Sequence, residues 1–357
     1  MRYINSITEA IGNTPLLKLN KIYTPHAGNV FVKLENLNPS GSYKDRMALA
    51  MVEAAEKGLT WNGKKLPPNG IVVEASAGNT APALAMVCAA KGYKARFVLY
   101  RYMFEGEVNT RLLITKTYGP EVTVSSEPSA YLTPEETAAF LLRDPDLPHV
   151  LSAKMDCAIM EQMDPNCVWV DQIYNSFNYK GQMEMAREIC EQLDGKIDGI
   201  GCSVGAGGSL YGLCKGLAHA GVKPRITFGI VPVGSENYLE LDKKECDRQE
   251  FRVSDLSTDI ARAMGLEKWL TEDSIVKQMV QDGYPDLFFR VSAEEARAMA
   301  DRLVREEGIY CGMSSGANVA ISLKIAERLG EGANVVTTIV DRRDRYLSEI
   351  PNEKYVV

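Results

Sequence analysis

The run Asn38-Pro39-Ser40-Gly41-Ser42-Tyr43-Lys44-Asp45-Arg46-Met47-Ala48 carries the first candidate for chemistry. Asn-Pro and Ser-Gly favour turns, so it opens as a loop. Ser42, with Asp45 three residues on, reads as a capping box that starts a helix. Met47, Met51 and Val52 give that helix an apolar stripe. Lys44 then falls in the first turn, where the helix dipole is positive and a cation is disfavoured. Conflicts of this kind with local preference are expected at functional positions. Positive potential favours the neutral amine, and a neutral amine attacks a carbonyl to form a Schiff base. For a lysine taken by itself, a solvated surface position is the ordinary alternative.

Three further junctions of strand, loop and helix have the composition of ligand sites. Glu74-Ala75-Ser76-Ala77-Gly78-Asn79-Thr80 is built of small residues that let backbone N–H groups approach a ligand. A helix start there would attract an anion such as a carboxylate. The same residues also read as an N-capped turn with close helix packing. Gly205-Ala206-Gly207-Gly208-Ser209 frees the backbone to wrap a phosphate, with a hydroxyl from Ser209. It has neither the Gly-Lys-Ser/Thr of a Walker loop nor the dinucleotide GxGxxG spacing. Gly312-Met313-Ser314-Ser315-Gly316-Ala317 offers a serine to a heterocyclic nitrogen, or simply an N-cap.

The elements that must position these loops alternate. Apolar strand runs at 71–74, 95–99, 121–124, 168–172, 197–203, 226–231 and 335–340 are separated by helical stretches. This alternation predicts α/β architecture with parallel-rich sheets. Ser292 with Glu295 reads as a capping box for a helix ending at Gly308. Residues 126–166, with five prolines at 128, 134, 145, 148 and 165, read as irregular, a crossover or a surface excursion. The 357 residues are enough for two domains. A net charge of -7 argues against a nucleic-acid or anionic-membrane surface. No apolar run is long enough to span a bilayer, and the first residues lack a signal-peptide core. The eight cysteines include no CxxC pair and the three histidines are isolated, which disfavours a metal centre and suits a reducing cytoplasm.

One cofactor needs all of these parts. Pyridoxal phosphate takes a lysine for its aldehyde, a nest for its phosphate and a partner for its pyridine nitrogen, while its substrate needs a carboxylate pocket. On these motifs the chain resembles the cysteine synthase/cystathionine β-synthase family. The resemblance runs from Ile11-Gly12-Asn13-Thr14-Pro15-Leu16 through the lysine run, Ser76 to Thr80 and Gly205 to Gly212. It continues through Glu307-Gly308-Ile309 and Gly312 to Ala317 to Arg345-Tyr346-Leu347-Ser348.

The resemblance implies a fold-type II enzyme, like the β subunit of tryptophan synthase, with two α/β domains of twisted parallel-rich sheets flanked by helices. A smaller, mobile domain of about 37–157 would carry the lysine and the substrate loop, and 1–36 with 158–357 would carry the phosphate loop. Lys44 would be the Schiff-base lysine and the acid/base. Asn79 would bond the ring hydroxyl, Gly205, Ala206, Gly207, Gly208 and Ser209 would hold the phosphate, and Ser314 would face the pyridine nitrogen. Ser76, Ala77, Thr80 and Gln172 would take the substrate carboxylate. The chain departs from the family pattern at Ala77 (usually serine), at Ala81-Pro82 (usually glycine), at Ala206 (usually threonine) and around Ile260 to Gly265. The implied activity is β-replacement on an activated L-serine through an aminoacrylate, by default O-acetylserine and sulfide giving cysteine. Cystathionine formation, a nitrogen nucleophile giving a diamino acid, and cysteine β-elimination are the alternatives, as is a catalytically impaired regulatory protein that binds the cofactor. The implied partners are small molecules and a second copy of the chain in a cytoplasmic homodimer, with no nucleic acid, membrane or metal.

Overall fold

A computed structural model describes residues 3–60, 62–76, 78–100, 110–143, 147–232, 250–252 and 274–349. The chain forms two compact units. One comprises 1–11, 44–177 and 343–357, and the other 12–43 and 178–342. The lysine-bearing unit differs from 37–157: its central stretch starts at 44 rather than 37, and it takes in the strand at 167–169, which pairs with the strand at 71–75.

The lysine-bearing unit contains α1 (Lys44–Glu56), β3 (Ile71–Ala75), α2 (Thr80–Lys91), β4 (Lys94–Leu99), α3 (Thr110–Thr117), β5 (Glu121–Val124), α4 (Pro134–Arg143), α5 (Leu147–Met163) and β6 (Cys167–Trp169). Its sheet has four parallel strands in the order β5-β4-β3-β6. Successive side chains of a strand face opposite ways, and β3 uses both faces. Val72 packs with Met47, Met51, Leu84 and Phe97 under α1 and α2, while Val73 packs with Val150, Ala153 and Cys157 of α5. The 126–166 stretch is more regular than its prolines suggest. Pro134 is the first residue of α4 and Pro148 the second of α5, places where a missing N–H costs no helical hydrogen bond.

The other unit contains β1 (Leu16–Lys18), β2 (Asn29–Leu34), α6 (Phe177–Gln192, past its first residue), β7 (Gly199–Ser203), α7 (Gly208–His219), β8 (Ile226–Pro232), β9 (Glu250–Arg252), α8 (Ile275–Gln281), β10 (Leu287–Val291), α9 (Ala293–Glu307), α10 (Met313–Leu329) and β11 (Asn334–Ile339). Its sheet is seven-stranded, β1-β2-β11-β7-β8-β10-β9, parallel except for β1 and β9 at the edges. The central strands are buried on both faces, which accounts for their continuous apolar runs. Ser292 caps α9 by accepting from the Glu295 N–H, and Gly308 ends it in the left-handed conformation, as the capping pattern implies. Among the described residues, no helix is long and apolar enough to cross a membrane, and no group of three metal-ligating side chains is placed to hold an ion.

Candidate active site

Residues 38–43, which precede Lys44 in the chain, are hydrogen-bonded within the β11 unit. Asn38 accepts from the Gly12 N–H at 2.9 Å and donates to Glu35, which also accepts from Thr14 at 2.7 Å. Gly41 adopts φ +91°, a turn open to glycine. Its carbonyl then accepts from the Arg342 N–H. Ser42 bridges to Asp341, the Tyr43 N–H donates to the Val340 carbonyl, and Gln182 donates to the Tyr43 carbonyl. That pairing delays the helix by two residues relative to the capping-box reading. α1 begins at Lys44 itself, so the lysine does occupy the first turn.

The loop after β3 is fixed from two sides. Ser76 is buried and accepts from the Gly78 N–H at 3.3 Å. Thr80, the first residue of α2, donates to Gln172 Oε1 at 2.6 Å, which joins two of the expected carboxylate residues. Ala77 lies outside the described residues, as does the 260–265 segment. Behind this loop Glu74 accepts from the backbone N–H groups of Ala75 and Gln172. Burial, then the Asp171 carboxylate, push the Glu74 carboxyl up to about 8. Asp171 is itself raised by burial, opposed by Lys154, whose ammonium lies 3.5 Å away. Asp171 holds φ +41°, a strained value for a residue with a side chain, immediately before Gln172. The sequence places Glu74 at the strand end and at the start of the small-residue junction without a role of its own; a carboxyl inside an apolar strand run was its signal.

In the β11 unit, Gly207 sits at φ +82° and precedes α7, whose first N–H groups have no intrahelical acceptor. Gly208 lies so close to α6 that a Cβ would stand 2.1 Å from Asn178 Oδ1. A Cβ on Gly205 would meet no atom within 4 Å. Gly205 opens onto a cavity of about 360 Å³ shared with Ser314, Tyr43 and Ser203. Ser209 is buried and hydrogen-bonds the Tyr43 hydroxyl, whose pKa is raised by burial and by the charges of Cys202 and Asp341. Neither serine of the 314–315 pair caps α10. Its N-cap is Gly312, Ser315 accepts from the Val340 N–H at 2.9 Å, and Ser314 lines the cavity. Asn318, one turn on, accepts from the Ser203 N–H and donates to the Thr338 carbonyl, which pins α10 against β7 and β11. Nothing in the sequence signals a role for Tyr43, because its place beside Ser209 and Ser314 depends on long-range packing that spacing does not encode.

This cradle fits pyridoxal phosphate. It combines a glycine loop open to space, a helix start that favours an anion, and a neutral hydroxyl across the same cavity. Such a fold and site define an enzyme that depends on that cofactor. Residues 7–341 match the family of pyridoxal-phosphate dependent enzymes, and the chain belongs to it. Among curated relatives, cysteine synthase 1 of Emericella nidulans is 32% identical over 99% of this chain and 86% of its own length. Cysteine synthase of Staphylococcus aureus is 32% identical over 97% of this chain and 96% of its own. A solved hydrogen sulfide-producing enzyme of Fusobacterium nucleatum is 26% identical, with a TM-score of 0.70 over 97% of this chain and 99% of that one.

Proposed function

We propose that the chain catalyses β-replacement on an activated L-serine, with O-acetyl-L-serine and sulfide as its default pair, giving cysteine and acetate. The observation that carries this reading is the lining of the Ser314 cavity, in which, among the described residues, no acidic or basic side chain takes part. Pyridoxal phosphate supplies an electron sink for bonds at the substrate's α-carbon. A serine hydroxyl facing the ring nitrogen leaves that sink weak, and a weak sink suits prompt loss of a β-leaving group over chemistry that needs a long-lived carbanion. The relatives named cysteine synthase support the same reading.

In this reading Lys44 carries the cofactor and then moves the proton at the substrate's α-carbon. Ser76, Thr80 and Gln172, with the Ala77 backbone, bind the substrate carboxylate. Gly205, Ala206, Gly207, Gly208 and Ser209 hold the phosphate through N–H groups and one hydroxyl. Ser314 takes the ring nitrogen and Asn79 the ring oxygen. A homodimer acting in the cytoplasm follows from the family resemblance.

The test is a matrix of donors (O-acetylserine, O-phosphoserine, serine, cysteine) against nucleophiles (sulfide, homocysteine, amines), read by mass spectrometry. Cysteine from O-acetylserine and sulfide is the expected product. Release of sulfide from cysteine alone would favour the second reading, elimination, which the named activity of the Fusobacterium enzyme supports. No turnover with any β-substituted alanine would leave a cofactor-binding regulatory protein. Products of racemisation alone would exclude β-replacement.

A further inference from the structure

The Arg345-Tyr346-Leu347-Ser348 motif has no part in the reading so far, yet it delivers a deeply buried cation. Arg345 is only 1% exposed. It sits in the short 3-10 helix Arg343–Glu349 that follows β11, where the Arg111 guanidinium of α3 lies 5.1 Å from the Tyr346 ring. Arg345 Nη1 donates to Asn79 Oδ1 at 2.8 Å. Asn79 occupies the N-cap position of α2, but its side chain makes no capping hydrogen bond. Its backbone is itself helical (φ -67°, ψ -16°) rather than in the extended conformation that lets an asparagine fold back onto the helix N–H groups, and the side chain is diverted to Arg345.

The diversion has a fixed chemical sense. A side-chain amide has one acceptor, its oxygen, and one donor group, its NH2, whereas a guanidinium has donors only. With Arg345 beside it, Oδ1 must face the arginine, and Nδ2 is turned away as a donor. We infer that Arg345 is the positioning residue that locks the Asn79 amide, so that Nδ2 is presented to the cofactor's ring oxygen. The cation also polarises the amide, which makes Nδ2 the stronger donor to an oxygen bearing negative charge. A neutral partner such as glutamine could not do this, since it carries an acceptor as well and would leave both amide orientations open. The inference rests on the proposed contact between Asn79 and the cofactor.

The experiment measures the affinity of the apoprotein for pyridoxal phosphate, and the pH dependence of the bound cofactor's absorbance, in wild type, Asn79→Ala, Arg345→Met, Arg345→Lys and the Asn79→Ala/Arg345→Met pair. Losing one oriented hydrogen bond weakens binding roughly threefold to tenfold. Asn79→Ala and Arg345→Met are both expected to show that loss and to move the absorbance transition in the same direction. Arg345→Lys, a donor without an acceptor, is expected to restore most of it. The pair is expected to be no worse than Asn79→Ala alone. Additive losses, or a wild-type spectrum in Arg345→Met, would overturn the inference, whereas a wild-type spectrum in Asn79→Ala would overturn the Asn79 contact itself. Should Arg345→Met fail to fold, Asn79→Asp decides, because its carboxylate still accepts from Arg345 but has no donor. It is expected to melt like wild type and to show the Asn79→Ala spectrum; a wild-type spectrum in Asn79→Asp would overturn the inference.

Discussion

Glu74 sits at the residue scale as a carboxyl held mostly protonated by its surroundings. Burial and the neighbouring Asp171 raise it to about 8 from an ordinary 4.5, with Lys154 acting the other way. Because the folded value lies above the unfolded one, its contribution to stability is full below the unfolded pKa and is lost as pH rises through about 8. The Asp171 carboxylate, the Lys154 ammonium and the buried Cys157 thiol share this pocket. Glu74→Gln mimics the protonated form and is expected to flatten the fall in melting temperature between about pH 5 and pH 8. An unchanged slope in that variant would show that Glu74 does not govern it. At the cofactor, Ser314→Ala removes one neutral hydrogen bond and is expected to weaken pyridoxal phosphate binding by up to about tenfold. Equilibrium titration of the apoprotein checks this, and unchanged affinity would contradict the assignment of Ser314. That Lys44 falls in the first turn of a helix and that small-residue loops stand before α2 and α7 was legible, because each breaks or punctuates a local pattern. Arg345 and Glu74 were not, since a charged residue in sequence reads as solvated until its burial is known.

Elements hold these residues through close backbone approach. Along α7, Gly212 and Gly216 face α6, and a Cβ on Gly212 would stand 2.5 Å from both the Tyr179 carbonyl and Gln182 Cβ. Gly212→Ala is therefore expected to cost about 1–3 kcal/mol, as overpacking does, and to lower the melting temperature by several degrees. A variant as stable as wild type would show that α6 and α7 can separate without penalty. The strand runs read from the sequence fall on strands with small boundary errors, because parallel strands buried on both faces give unbroken apolar runs, whereas β9 and β10 were not read. Two further features were not legible. The prolines of 126–166 suggested irregularity, but Pro134 and Pro148 stand at helix starts. The start of α1 was placed at Ser42, and its pairing with Asp341, some 299 positions along, is a long-range contact that no local pattern encodes.

For the whole molecule, relatives that match nearly end to end and two α/β units agree on one cofactor enzyme. Homodimerisation, proposed from the resemblance, predicts a single dimeric species in sedimentation velocity at micromolar concentration; a monomer would contradict it. All of this turns on one covalent attachment. The most direct test is borohydride reduction of the protein loaded with pyridoxal phosphate, followed by peptide mapping. The account predicts a pyridoxyl group on Lys44 in the wild type and none on that peptide in Lys44→Ala, which should also lose turnover. A pyridoxyl group on another lysine, or none on Lys44, would contradict it.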